Sequence, residues 1–514
     1  MIHAFPDLLA KRAALTPDAV ALEESATGRT FTYAELDARA ARAAGLLARH
    51  GLREGDRVAI LCRNRPAFFE LLFACAKMGA ILVPLNWRMP PAELAAFIAD
   101  SGPVLLLHGA EDRAAAQATG LPAIDLDADF ERLLAAVPPP PPGPRRRATW
   151  PADGIWYLLY TSGTTGRPKG VIYTFRMALA NYVNLGAAIG LDASDTTASF
   201  LPLFHTAGIN LHALPTLFQG GRVLVTGGFD ADEIVRLLHA RRLDTVFAVP
   251  TIYQDLLDHP GFASAPLGHV RHWGCGGAPL PDALVERSRR LGIRLCAGMG
   301  MTETGPTAFL AAPQDAWERI GSVGKPQLLV SARIVDGDGR DLPDGEVGDL
   351  LFAGPGVTPG YWNDPQATAA AFTAEGWLRT GDLARRDSDG FWTIAGRRKE
   401  MFISGGENVY PAEVEKVLAA HPAVCEAAVV AAPHPRWGEV GRAYLRAAGG
   451  QPRPAGAELD AYCRSRLAAY KVPTSFEFVA DFPRTAAGKV QKHLLPAGAA
   501  PAAAAGAAAG AAQA

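Results

Sequence analysis

Between residues 30 and 85 the chain switches repeatedly between helical and strand-like spacing of its apolar positions. Thr32-Tyr33-Ala34-Glu35 has the Thr-x-x-Glu order of a capping box and predicts a helix that Gly51 closes. The apolar run Val58-Ala59-Ile60-Leu61 predicts a buried strand. Pro66 then opens an apolar helix through Phe69, Leu72 and Cys75, Gly79 ends it, and Ile81-Leu82-Val83 is the next strand. Strands that alternate with helices in this way predict α/β layers around a mainly parallel sheet.

The rhythm changes twice further on. From about Arg333 to Phe352 short strands are separated by Asp336-Gly337, Asp338-Gly339 and Asp344-Gly345, which predicts a small antiparallel β region. After Gly396 a separate small α/β unit begins, with a helix at Glu413-Val414-Glu415-Lys416-Val417-Leu418 and a strand at Ala427-Ala428-Val429-Val430. Pro138 to Arg147 reads as an extended connector, and Ala497 to Ala514, almost wholly Ala, Gly and Pro, as a disordered tail. The expected organisation is a large N-terminal domain of layered α/β subdomains plus a small β region over 1–396 and a hinge at 397–399. A small mobile α+β domain over 400–496 and the tail at 497–514 complete it.

Composition narrows the class. A chain of 514 residues exceeds one typical core, so at least two domains are expected. With 20% charged residues and a net charge of -2, nothing favours nucleic acid or an anionic membrane as main partner. The six cysteines (Cys62, Cys75, Cys275, Cys296, Cys425, Cys463) show no CxxC spacing and mostly sit in apolar runs, so buried free thiols are expected. The N-terminus lacks a basic and then apolar leader, and Lys77 interrupts the best apolar stretch. A cytoplasmic protein with no membrane span is expected, as monomer or homodimer.

The most informative stretch is Tyr160-Thr161-Ser162-Gly163-Thr164-Thr165-Gly166-Arg167-Pro168-Lys169-Gly170, directly after the apolar run Ile155 to Leu159. Glycines turn backbone N–H groups toward an anion and hydroxyls add donors without bulk, so the stretch suits phosphate. It is not a Walker A loop, because Pro168 replaces the second glycine and Gly170 follows Lys169. The bland alternative is a Gly/Thr surface turn.

Other segments gain weight beside it. His205 lies in Leu201-Pro202-Leu203-Phe204-His205-Thr206-Ala207-Gly208; alone it would read as a hydrogen-bonded core histidine. Gly274-Cys275-Gly276-Gly277-Ala278-Pro279 would let backbone approach a flat ligand. Gly298-Met299-Gly300-Met301-Thr302-Glu303-Thr304-Gly305 sets a carboxylate beside hydroxyls, suited to phosphate-bound Mg2+, with a helix cap as the alternative. Asp382, in Arg379-Thr380-Gly381-Asp382-Leu383, could hold both ribose hydroxyls or make an Asx-turn. Gly396-Arg397-Arg398-Lys399-Glu400, then Ser404-Gly405-Gly406-Glu407-Asn408, could meet phosphate or a narrow ligand or form a surface turn. Lys489 follows Gly488 near the end.

Taken in order, these segments resemble the adenylate-forming (AMP-binding) superfamily from about residue 30 to 495. That group comprises acyl-CoA synthetases, peptide-synthetase adenylation domains and luciferases. The resemblance implies ATP as a substrate, with its phosphates at Thr161, Ser162, Gly163, Thr164, Thr165, Gly166 and Lys169. It implies Mg2+ at Thr161 and Glu303, and Thr302 near the α-phosphate. Adenine would be lined by Gly276, Gly277, Ala278, Pro279, Met299 and Gly300, and Met301 is also placed in the ATP site. Asp382 matches the ribose-binding aspartate and Arg397 the arginine that assists it. Lys489 matches the lysine bridging carboxylate and α-phosphate, Lys399 the hinge, Gly405-Gly406 the pantetheine tunnel, and His205 the entrance to the acyl pocket. Two positions depart from the pattern: Met299 stands where an aromatic ring usually stacks on adenine, and Glu400 where aspartate is common. Altered ATP affinity, not lost activity, is expected.

The implied reaction has two steps: a carboxylate and Mg-ATP give acyl-AMP and pyrophosphate, then a thiol takes the acyl group. Phe200 to Gln219 contains no acidic residue, so a substrate ammonium would find no partner there and a plain carboxylic acid fits better. Thr206, Ala207, Asn210, His212 and Val249-Pro250-Thr251-Ile252 are pocket candidates for an aromatic ring or a medium aliphatic chain. Asn210 could bond a ring hydroxyl or serve structurally. Met401 to Pro411 is similar to fatty-acyl and feruloyl-type CoA ligases, which implies coenzyme A as acceptor. The alternatives are a loader of carrier proteins and a luciferase-type oxidoreductase.

Overall fold

The computed structural model describes residues 3–138, 148–162, 168–449, 451–484 and 490–495. Outside them lie most of the 138–147 connector, the Gly163–Arg167 part of the phosphate stretch, Lys489 with the four residues before it, and the 497–514 tail.

The expected local signals form as read. Helix Tyr33–Arg49 starts at a reciprocal cap in which Glu35 N donates to Thr32 Oγ1 (3.2 Å) and Thr32 N to Glu35 Oε2 (2.8 Å). Helix Pro66–Met78 ends because Gly79 turns left-handed (φ 77°) and donates to Cys75 O. Two large sheets follow. One orders its strands Pro168–Thr174, Ile155–Ser162, Ile81–Pro84, Arg57–Leu61, Leu105–His108 and Ala123–Asp125, parallel except for the first pair. The other has nine strands, with a parallel centre running through Leu295–Met299, His272–Cys275, Thr245–Ala248, Thr196–Ser199, Arg222–Val225 and Val20–Glu24. One buried cluster joins residues of both sheets, such as Leu82 and Val223, to the helices between them.

Lys77, which breaks the apolar pattern of its helix, is buried with two carboxylates. Its Nζ lies 2.6 Å from both Asp7 Oδ2 and Asp37 Oδ1. Charge thus enters the core only as a hydrogen-bonded set. Of the six cysteines, all free, five are buried and Cys425 is exposed. Among the described residues no helix is long and apolar enough to cross a membrane.

The small β region forms from Ser331–Val335 and Gly348–Ala353, antiparallel, continued by Leu378–Arg386 and Trp392–Arg397. Contacts divide the chain into a larger unit, Met1–Thr380 with Arg385–Thr393, and a smaller one, Gly381–Ala384 with Ile394–Ala514. Gly381–Ala384 falls in the smaller unit because Gly381 O accepts from Arg398 N and Asp382 pairs with Arg397. That unit holds strands Glu407–Val409, Phe402–Ser404, Gly438–Ala447, Val424–His434 and Ser475–Val479, with helices Pro411–Ala419 and Gly456–Arg464. The chain is mixed α/β, a large N-terminal domain followed by a small C-terminal one.

Candidate active site

The phosphate stretch joins an antiparallel pair of strands, not a strand to a helix. Ile155–Ser162 pairs with Pro168–Thr174, setting Thr161 opposite Lys169. Its base is fixed deep in the core, where Trp156 Nε1 donates to Leu72 O (2.8 Å) and the Trp156 ring stacks on Phe175. A hairpin with a rigid base can present backbone donors at its far end without moving the sheet.

Glu303 sits in a short helical turn, Thr302–Thr304, and is 7% exposed. Tyr361 donates its hydroxyl to Glu303 Oε1 at 3.0 Å, while Lys169 Nζ lies 5.1 Å from the centroid of the Tyr361 ring. Burial and the Glu303 carboxylate push the Tyr361 phenol up, so it stays a donor at any physiological pH. Backbone bonds lace the same pieces together: Thr358 N donates to Glu303 O, and Trp362 N to Gly170 O. The sequence alone does not single out Tyr361. Its signal, an aromatic pair after Gly360, is weak without knowing that it reaches Glu303.

Thr304 closes its own turn, since Met301 N donates to Thr304 Oγ1 (3.0 Å). The N-cap of the turn is Met301 and Thr304 is its third residue, so neither Thr302 nor Thr304 is itself the N-cap. The site's hard oxygen donors suit Mg2+, which takes one or two carboxylates plus substrate phosphates. Among the described residues no group of three or more His, Cys, Asp or Glu could hold a metal without such phosphates.

The glycine segments end two neighbouring parallel strands, His272–Cys275 and Leu295–Met299, where ligands of such sheets bind. Gly276 and Gly300 are required by space. A Cβ at Gly276 would stand 2.9 Å from Gly298 O, and one at Gly300 only 1.5 Å from Pro306 O. Gly277, Ala278 and Pro279 are exposed, and Met299 and Met301 are half-buried beside them.

His205 is half-buried at the start of the turn Ala207–Leu211, and its Nδ1 accepts from Ala207 N. Asn210 does not face a ligand with its side chain. Its Oδ1 accepts from Tyr157, its Nδ2 donates to Thr206 Oγ1, and its carbonyl accepts from Asn181. Of the two readings of Asn210, the structural one holds.

In the smaller unit Asp382 is 6% exposed and its Oδ1 meets Arg397 Nε at 2.8 Å. Lys399 is exposed in the turn that follows. Glu400 pairs with Lys492 (2.6 Å), which also meets Glu415 (2.7 Å). Gly405 and Gly406 form the two-residue link between strands Phe402–Ser404 and Glu407–Val409, both with positive φ, as a type I′ turn demands. Over this turn lies Trp437, 45% exposed, whose carbonyl accepts from Gly405 N. Lys489 lies outside the described residues, but its flanks pair: Arg484 bridges Val490, and Gln491 N donates to Pro483 O.

The model of the AMP-binding enzyme family matches residues 9–362, and that of the AMP-binding enzyme C-terminal domain matches 413–489. The chain belongs to the AMP-binding enzyme family. It is 42% identical to a feruloyl-CoA synthase of Amycolatopsis sp over 94% of this chain and 96% of that protein. It is 36% identical to an indoleacetate–CoA ligase of Aromatoleum aromaticum over 90% and 92%. The structure of o-succinylbenzoate coenzyme A synthetase from Bacillus subtilis in complex with ATP and magnesium ion superposes with a TM-score of 0.86, at 34% identity, over 96% of this chain and 99% of that one.

Proposed function

We propose that the protein is an acyl-CoA ligase: it joins a fatty or aromatic carboxylic acid to AMP at the cost of ATP, releases pyrophosphate, and passes the acyl group to coenzyme A. The observation that carries the reading is the buried Glu303 held by Tyr361, which also carries Lys169 of the phosphate hairpin over its ring. That linkage gives one carboxylate and one cation a fixed relation at a single phosphate-binding place.

In the first step a carboxylate oxygen of the acid bonds to the α-phosphorus and the bond to pyrophosphate breaks. Two anions approach, so cations must offset their repulsion. Mg2+, when bound, supplies charge to the phosphate oxygens. Thr161, Ser162, Gly163, Thr164, Thr165, Gly166 and Lys169 hold the phosphates, and Thr302 faces the α-phosphate. Asp382 orients the ribose, kept in place by Arg397. Met299, Gly300, Gly277, Ala278 and Pro279 border adenine, and Met301 belongs to the same ATP site. Lys489 bridges the acid and the α-phosphate.

In the second step the thiol sulfur of CoA attacks the acyl carbon, AMP leaves, and the thiol proton passes to solvent. Gly405-Gly406 form the narrow passage for the pantetheine arm, and His205 stands at the mouth of the acyl pocket. The backbone at Lys399 is the hinge between the steps. The free cysteines fit a reducing compartment, and we place the enzyme in the cytoplasm.

Pyrophosphate release across fatty and aromatic acids, with and without CoA, tests the reading. Acid-dependent pyrophosphate and a CoA thioester are expected. A thioester formed on a carrier protein but not on CoA would move the assignment to a carrier-loading enzyme, and light or oxygen uptake to a luciferase-type oxidoreductase.

A further inference from the structure

Three parts of the candidate site meet on one helix of the larger unit. Helix Phe175–Ile189 follows the second hairpin strand, Pro168–Thr174, without a loop, and Thr174 Oγ1 caps it by accepting from Met177 N (3.3 Å). Its buried residues include the apolar Met177, Ala178 and Leu185, but also Asn181, which is 2% exposed. Asparagine is a weak helix former, and a buried amide is costly unless it is hydrogen-bonded.

Both ends of this amide are bonded, each to a different part of the site. Asn181 Oδ1 accepts from Thr307 Oγ1 at 2.7 Å, and Asn181 Nδ2 donates to Asn210 O. The orientation of the amide is forced, because a backbone carbonyl only accepts and must face the nitrogen end. Asn210 belongs to the turn Ala207–Leu211 that follows His205, and its Nδ2 reaches back to Thr206 Oγ1 (3.2 Å). Thr307 lies four residues past Glu303. Its segment is tied to itself, since Ala308 N donates to Met299 O and Thr304 N to Met301 O. A shift at Thr307 therefore carries Thr302 and Glu303 with it.

The link closes into a ring. Asn210 Oδ1 accepts from Tyr157, whose ring stacks on Tyr173 with centroids 4.5 Å apart. Tyr173 donates its hydroxyl to Gly305 O, two residues before Thr307. Tyr157 and Tyr173 are register partners on the two hairpin strands. Hairpin, turn and Glu303 segment are thus joined in one buried circuit, and Asn181 is the member that spans directly from the turn to the Glu303 segment.

We propose that Asn181 is a positioning residue for acyl-AMP formation: it holds the turn after His205 and the segment of Thr302 and Glu303 at the separation that brings the carboxylate of the acid to the α-phosphorus. This rests on the acyl-CoA ligase reading and names what sets the geometry of its first step. Asn181 touches neither substrate in this role. Its effect is confined to the step in which two separate ligands must be aligned. In acyl-AMP the bond between them already exists, so the thiol step no longer depends on that spacing.

Separate measurement of the two half-reactions tests it. In Asn181→Leu, similar in branching but unable to hydrogen-bond, the maximal rate of acyl-AMP formation should fall about 10- to 100-fold, the scale of a misplacement of about 1 Å at the reacting atoms. KM for ATP and for the acid should each stay within about 3-fold of wild type, because no contact to either ligand is lost. Thioester formation from supplied acyl-AMP and CoA should keep its rate within about 2-fold. Thr307→Val breaks the same link from its other end and should give the same split, which keeps the test open where the leucine variant does not fold. Thr307→Ser retains the hydroxyl and should restore adenylation. Asn181→Leu combined with Thr307→Val should be no worse than either change alone, since both remove one link. An unchanged rate of acyl-AMP formation, equal slowing of both half-reactions, or a defect confined to KM in a folded variant would overturn the proposal and leave the ligase reading intact. No acid-dependent pyrophosphate from the wild type would overturn both.

Discussion

Tyr361 donates its hydroxyl to Glu303 Oε1 across 3.0 Å, while the face of the same ring carries Lys169. The phenol thus fixes the direction of a carboxylate that is 7% exposed. In the role proposed for Glu303 at Mg2+, such an outer contact would orient the ligand, and losing one typically costs about 10–100-fold in metal affinity or activity. Tyr361→Phe keeps the ring under Lys169 and removes only the bond. It should raise the Mg2+ concentration for half-maximal pyrophosphate release by about 10-fold with little change in melting temperature. An unchanged Mg2+ titration would show that Glu303 is oriented by its backbone alone.

Much of this was legible in the sequence, for reasons that lie in the residues. The cap at Thr32 and Glu35, the stops at Gly51 and Gly79 and the run Ile155 to Leu159 are local signals, and local signals survive folding. Tyr361 and Trp437 were not legible, because their meaning depends on which distant backbone they meet. In the sequence the triad of Lys77, Asp7 and Asp37 shows only as a charge in an apolar run, since the partners of Lys77 lie 70 and 40 residues away. The sequence allows Asn210 two roles that only its hydrogen bonds to Tyr157 and Thr206 separate.

That triad carries its own expectation. Lys77→Met leaves Asp7 and Asp37 facing each other in the core with no cation. Removing one partner of a buried ionic set costs about 3–5 kcal/mol. Urea unfolding should show the loss in full, while the KM values of the surviving folded enzyme stay near wild type.

Gly405 turns with φ 61° directly beneath Trp437, and a Cβ there would stand 2.9 Å from Trp437 Cε3. Gly405→Ala therefore strains the turn and displaces the indole together. Thioester formation from supplied acyl-AMP should slow by roughly 10- to 100-fold, the scale of a displacement of about 1 Å at a reacting group. Pyrophosphate release in the absence of CoA should change little. Equal slowing of both steps would remove Gly405 from the thiol step.

Lys492 holds the chain just beyond Lys489, its ammonium 2.6 Å from Glu400 and 2.7 Å from Glu415. Burial pushes the Glu415 carboxyl up, and Lys492 is the cation that offsets it. Lys489→Ala should lower acyl-AMP formation by about 100-fold or more, as loss of a charge at the reacting phosphate does. Lys492→Met should impair the same half-reaction less severely and also destabilise the protein by about 3 kcal/mol. Rapid-quench measurement of each half-reaction separates the two, and loss of both halves equally in Lys489→Ala would count against its role.

His212 and His272 give the fold a directional response to acid. Burial holds the two rings near 3 and 4, well below the 6.5 of an exposed imidazole. Below pH 6.5 the unfolded chain therefore takes up protons that the folded protein refuses. The stability they contribute is complete above about pH 6.5, falls as the pH drops through that value, and levels off only below the folded values. Within the window each histidine removes about 1.4 kcal/mol per pH unit. Urea midpoints at pH 7.5, 6.0 and 5.0 should decline accordingly, and His212→Gln should reduce the slope by the share of one proton. A slope that His212→Gln leaves unchanged would mean that this ring already exchanges its proton with solvent in the folded state.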